Sequence, residues 1–152
     1  MRISLPNILI ANGVNLDLLG RRPENIYGVG TLEDLEQYIL TQLPVVEKAV
    51  GSALSLTFFQ SNSDAEFLNK LSEGWDGAVL NPGAWTHTSL ALADRLEALS
   101  LPFVEVHLSQ VVKRERFRQR SFSAQYALGR IEGFGFHSYT LGLWALASHL
   151  TK

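Results

Sequence analysis

Between Ile8 and Gly28 the chain reads ILIANGVNLDLLGRRPENIYG, an apolar run that empties into a polar loop carrying Asn12, Asn15, Arg22 and Tyr27. An amide, a guanidinium and a phenol on one loop can serve proton abstraction, although a loop tyrosine can equally be a packed side chain. A free phenol ionises near pH ~10, so it works as a base near neutrality only where charge stabilises its anion. Arg22, five residues before Tyr27, can supply that charge. Asn15 can donate to a developing oxyanion or stabilise a turn; Asn12 fits the turn role at the Asn12-Gly13 bend.

The second candidate is Glu105-Val-His107. In an extended chain residues i and i+2 share a face, so the carboxylate can accept from one imidazole nitrogen, hold the histidinium and make His107 a general acid. Asn81 and His87 belong to NPGAWTHTS, which joins a strand to a helix N-terminus, a place that favours an anion or, more plainly, capping by Thr86 or Thr88. The basic stretch KRERFRQR, Lys113 to Arg120, reads as a solvated helical face on which Arg114 and Arg118 stand four residues apart.

Positioning these groups requires an alternation of strands and helices. Apolar runs at Ile8–Ala11, Leu54–Phe59, Gly77–Leu80 and Phe103–Val106 read as strands, with a fifth at Gly129–Gly133 that contains Arg130 and Glu132. Helical periodicity follows Thr31, capped with Asp34 and reaching Pro44 near its end. It recurs after the Ser63–Glu66 capping box, from Thr88 to Leu99, and from Phe136 to Leu150. Such alternation predicts an α/β parallel sheet, and the flavodoxin-like order 2-1-3-4-5 gives a three-layer sandwich. Ligands then bind beyond the carboxyl ends of strands 1 and 3. Asn12, Asn81 and His107 each end a strand at that edge.

The 152 residues fit one catalytic domain spanning 1–152, with 46% hydrophobic residues, 18% charged and a formal net charge of −2. That balance argues against disorder and against nucleic acid as a partner. No cysteine is present, which excludes disulfides and thiolate chemistry. No leader-like segment and no apolar run near 18 residues is found, so no membrane association and a cytoplasmic location are expected. Phosphate-loop, dinucleotide-loop, zincin and nucleophile-elbow motifs are missing. Gly28-Val-Gly30 reads as a turn into the Thr31 cap rather than a phosphate loop, and four scattered histidines offer no metal set.

These segments together resemble type II 3-dehydroquinate dehydratase in one register from about Ile8 to Leu146. The family pattern N-G-P-N-L-N-L-L-G, then R-E-P and a Tyr-Gly pair, is represented by NGVNLDLLGRRPENIYG. FFQSNSDAE (58–66), LNPGAWTHTSLALAD (80–94), VEVHLSQ (104–110), RERFRQRS (114–121) and GFG (133–135) follow in order. The resemblance implies dehydration of 3-dehydroquinate to 3-dehydroshikimate by anti elimination through an enolate, with no cofactor or metal. The pathway is aromatic biosynthesis or quinate breakdown. It implies Tyr27 as base with Arg22 favouring its anion, His107 as acid oriented by Glu105, and Asn15 at the enolate. Asn81, His87 and Arg118 match substrate-hydroxyl positions, and the Leu108 and Ser109 backbone the carboxylate position. Arg114 matches a lid arginine. Asp94 matches an acid donated by a neighbouring subunit, so a homododecamer built from trimers is implied too.

Val14, Asp17, Arg22-Pro23-Glu24, Ser63 and Gln110 depart from the family pattern, and Arg130 and Glu132 stand where it has apolar residues. The last two are expected to bear on the fifth strand or an interface rather than on catalysis. Two rival readings are a flavodoxin-fold module for a flavin or phosphorylated ligand, and a degenerate paralogue that binds without turnover.

Overall fold

The computed structural model describes residues 4–28 and 30–152. Its sheet has five parallel strands, β1 (Asn7–Asn12), β2 (Ser55–Gln60), β3 (Gly77–Asn81), β4 (Phe103–His107) and β5 (Gly129–Glu132), in the order β2-β1-β3-β4-β5. The sheet is parallel, as the alternation of apolar runs predicts, and its order is the expected flavodoxin-like one. β3 and β4 are buried along their whole length because helices cover both faces, and this explains why β3 reads as a continuous apolar run up to Asn81.

On one face lie α2 (Leu32–Val50) and α6 (His137–Leu150), which pack Leu35, Ile39, Leu143 and Leu146 against Ile8, Ile10, Val79 and Val104. On the other lie α3 (Asp64–Leu71) and α5 (Leu90–Leu99), with Phe67, Leu71, Leu92 and Leu96 against Leu9, Ala11, Leu80 and Phe103. Gly142 lets α6 approach the sheet, since a Cβ there would stand 2.7 Å from a Val106 methyl. Thr31 caps α2 in a full capping box with Asp34, as its spacing implies.

Several local expectations are corrected. Pro44 does not close α2, which continues through it to Val50 because Val46 and Val50 still face the core. At α3 only half of the capping box forms. Ser63 accepts from the Glu66 N–H, but the Glu66 carboxylate takes the Ser61 hydroxyl at 2.6 Å instead. The helix expected from Thr88 to Leu99 is α5, which starts at Leu90; Thr88 instead ends a separate short helix, α4 (Trp85–Thr88), and Ser89, in an extended conformation, caps α5 in place of Thr86 or Thr88. A short helix, α1 (Glu24–Tyr27), stands inside the first loop.

Candidate active site

The carboxyl ends of β1 and β3 come together in register, with Asn12 opposite Asn81. Gly13 follows at once, where a Cβ would lie 2.5 Å from the Pro82 carbonyl oxygen, so only glycine lets the two chains leave the sheet side by side. Asn12 is no turn residue. It is buried, and its Oδ1 accepts the Tyr139 hydroxyl at 2.5 Å, while the Asn81 amide donates to the same hydroxyl at 2.8 Å. Full burial pushes the Tyr139 phenol far above its ordinary range, so it stays a neutral link between the two strand ends. The left-handed residue of the bend is Asn15, at φ 68°, whose N–H is held by the Asn62 side chain at 2.8 Å.

At the end of β4 the expected Glu105–His107 contact is present, with His107 Nε2 3.0 Å from Glu105 Oε2. This partner assigns the ring proton to Nε2 and leaves Nδ1 free for other chemistry. Glu105 is fully buried, yet it is not isolated. Its carboxylate accepts from Thr86 at 3.0 Å, from Ser121 at 3.1 Å and from Ser123, and the Arg130 guanidinium stands 3.4 Å away. Burial raises its proton affinity, but His107, Ser123 and Arg130 outweigh that and hold the carboxyl below its ordinary value. Nothing in the sequence pattern marks Thr86 on α4 and the two serines as part of the site. No local periodicity marks Ser121 and Ser123, which stand at a bend with Ser123 in the right-handed helical region.

Tyr27, at the end of α1, carries the other half. Its hydroxyl accepts from Arg22 Nη2 at 2.7 Å and from Arg114 Nη1 at 2.6 Å, and the Arg22 guanidinium also lies 3.8 Å from the ring centroid. Two charged donors thus converge on one phenolic oxygen, the geometry of charge-assisted hydrogen bonds. Arg114 does not reach Tyr27 from a helix. The basic stretch forms two isolated 3-10 turns, Val111–Lys113 and Arg116–Arg118, because it has no apolar stripe to pack and its side chains are used locally. Glu115 pairs with Arg118 at 3.0 Å and lies 3.8 Å from Arg114.

One narrow cavity gathers most of the sequence-derived candidates: Asn15, Arg22, Tyr27, Asn81, His87, His107, Leu108, Ser109, Arg114 and Arg118 all line it. Glu105 lies behind His107 rather than in the wall. A broader depression of about 700 Å³ shares Tyr27, Leu108, Ser109 and Arg114 with this cavity. His87 places Nδ1 2.7 Å from the Arg120 carbonyl, which leaves Nε2 as an acceptor. Burial first, and then the charges of His107, Arg118 and Arg130, keep the His87 ring below its ordinary pKa and hence neutral. Asp94 is exposed on α5 and is not brought to this cavity within the chain. Gly30 packs against the Phe136 ring, and the turn expected at Gly28-Val-Gly30 falls in part outside the described residues.

The wall therefore offers a phenolic oxygen held by cations, an imidazole held by a carboxylate, a neutral histidine acceptor, an amide and further guanidinium groups. It can take a small anionic polyol and move protons at two points. The family model for class II dehydroquinase matches residues 6–147. The 3-dehydroquinate dehydratase of Prochlorococcus marinus is 43% identical over 149 residues, covering 96% of this chain and 99% of that protein. The 3-dehydroquinate dehydratase of Bacillus licheniformis is 46% identical over 142 residues, covering 91% and 94%. The crystal structure of type II dehydroquinase from Propionibacterium acnes superposes with a TM-score of 0.83 at 35% identity, covering 94% of this chain and 97% of that one.

Proposed function

The chain belongs to the class II dehydroquinase family, and on that premise we propose that it dehydrates 3-dehydroquinate to 3-dehydroshikimate with Tyr27 as base and His107 as acid. The observation that carries this reading is the pairing across one cavity of a phenol oxygen held by two guanidinium groups and an imidazole backed by a buried carboxylate.

The substrate's C2 protons are acidified by the adjacent C3 ketone. The Tyr27 oxygen takes one of them, and the C–H electron pair moves into an enolate whose charge rests on the C3 oxygen. Donors aimed at that oxygen, Asn15 among them, lower the barrier because they stabilise charge that develops only in the reaction. The enolate then re-forms the ketone, its electrons close the C1–C2 double bond, and the C1–O bond breaks. His107 delivers a proton to the departing hydroxyl, so water leaves and a conjugated enone remains. The tyrosine and histidine regain their starting forms through proton return between them or through water. Removal of the proton on one face and departure of the hydroxyl on the other make the elimination anti.

Arg118, His87 and Asn81 hold the substrate's oxygens, and the Leu108–Ser109 segment receives its carboxylate. Arg114, already on Tyr27, couples closure of the basic loop to activation of the base. An exposed Asp94 that misses its own cavity fits donation by a neighbouring copy, and so a trimer-based dodecamer. Light scattering of the wild type and of Asp94→Ala tests that assembly. The chemical reading is tested by following enone absorbance from 3-dehydroquinate with a chelator present, for wild type, Tyr27→Phe and His107→Ala. Turnover by the wild type and its loss in both variants is expected. Undiminished turnover in either variant overturns that residue's assignment, and a wild type that neither binds nor converts the substrate overturns the function.

A further inference from the structure

β5 carries two charged residues, Arg130 and Glu132, and the parallel register sets them directly against the acid side of the site, Arg130 opposite Glu105 and Glu132 opposite His107. Arg130 Nε lies 3.4 Å from Glu105 Oε2, the same oxygen that His107 Nε2 approaches at 3.0 Å. Arg130 Nη2 lies 3.0 Å from Glu132 Oε2. The polar atoms Arg130 Nε, Arg130 Nη2 and Glu132 Oε2 are buried, and among the described residues none of them finds an aligned hydrogen-bond partner. These contacts are therefore charge against charge, held by strand register rather than by directed bonds. A buried array of this kind is costly to assemble, and it stands against a carboxylate already saturated by three hydroxyls.

We propose that Arg130 is a positioning residue that competes with His107 for the Glu105 carboxylate, and that Glu132 restrains Arg130, so that the pair sets how readily His107 releases its proton. The physical reason is a shared counter-charge. Negative charge that compensates Arg130 is withdrawn from the imidazolium, and the guanidinium itself repels a protonated ring, so His107 gives up its proton more easily than it would with Glu105 alone. Glu132 opposes this by neutralising Arg130. Other charged groups face the same space: His87 from α4, Arg22 and Tyr27 from the first loop, and Arg114 and Arg118 from the basic loop. They are unchanged among the variants below, so differences between variants report β5 alone.

The inference rests on the proposed role of His107, and its test separates the two. The pH dependence of kcat/KM for 3-dehydroquinate is measured for wild type, Arg130→Met, Arg130→Lys and Glu132→Gln, and the His107 ring is titrated by NMR in the same folded proteins without substrate. Arg130→Met is expected to move the limb set by His107, and its ring titration, to higher pH by roughly one unit, the low end of what a neighbouring charge does. Arg130→Lys is expected to restore both, and Glu132→Gln to move both to lower pH by less. Loss of packing alone would lower the rate without this ordered displacement. Unmoved titrations in Arg130→Met and Glu132→Gln, or failure of lysine to restore them, overturn the proposal. Should Arg130→Met not fold, Glu132→Gln decides alone. Displaced ring titrations in a wild type without turnover would keep the coupling and reject the function instead.

Discussion

The two halves of the site are held in different ways. His107 ends a fully buried strand, and its partner Glu105 is clamped by hydroxyls from α4 and from the 121–123 segment, with the Phe122 N–H tied to the Thr86 carbonyl at 2.8 Å. Tyr27 stands half-buried at the end of a four-residue helix in a long loop, held by two guanidinium groups, one of them from another loop. His107, the proposed acid, is part of the core, whereas Tyr27, the proposed base, is delivered by the surface and fixed by charge. Damage to the first should register as lost stability as well as lost rate, and damage to the second as lost rate with the fold intact.

The sharpest test of that contrast is Tyr27→Phe, expected to lower kcat by about 10²–10⁴-fold, the usual worth of a general base. Its thermal midpoint should stay near that of the wild type. Glu105→Ala should break the contrast from the other side. It leaves an imidazole, an arginine and three hydroxyls without their shared acceptor, and urea titration is expected to show a loss of about 3–5 kcal/mol. Arg114→Ala is expected to lower kcat by about 10–100-fold, the worth of one hydrogen bond to a charged group, with little change in the denaturation midpoint. Tyr139→Phe, which strands the buried amides of Asn12 and Asn81, should cost about 1–3 kcal/mol of stability.

The smallest effect concerns acid. Glu105 is held below the ordinary carboxylate value of 4.5, so the unfolded chain binds the proton more readily than the folded one. The stabilisation from this group is fully present above about that pH and is lost as pH falls through the folded-state value. Denaturation of wild type and Glu105→Gln compared from pH 7 downward should show the steeper loss in the wild type below about pH 4.5. Parallel curves would remove Glu105 from the acid response.

What could be read from the chain was short in range. Strand runs, the Thr31 capping box, the i, i+2 pairing of Glu105 with His107 and the proximity of Arg22 to Tyr27 all follow from backbone periodicities that act within a few residues. That the sheet is parallel follows from the alternation of elements, while its strand order is one of the doubly wound arrangements that alternation allows. Arg114 and Tyr27 meet across 87 positions, and Tyr139 bridges Asn12 and Asn81 from 127 and 58 positions away. No local pattern encodes those distances. The basic stretch shows the limit most clearly, since a spacing of four between arginines suggests a helix, but a helix without an apolar face has nothing to pack on and the segment turns instead. Likewise Arg130 and Glu132 read as charges out of place in a strand, and only the β4–β5 register reveals that they face the Glu105–His107 pair. The sequence by itself determined which groups were available and which strands would carry them; the tertiary structure decided which charges share a carboxylate, because that depends on register and long-range packing, which local periodicity does not specify.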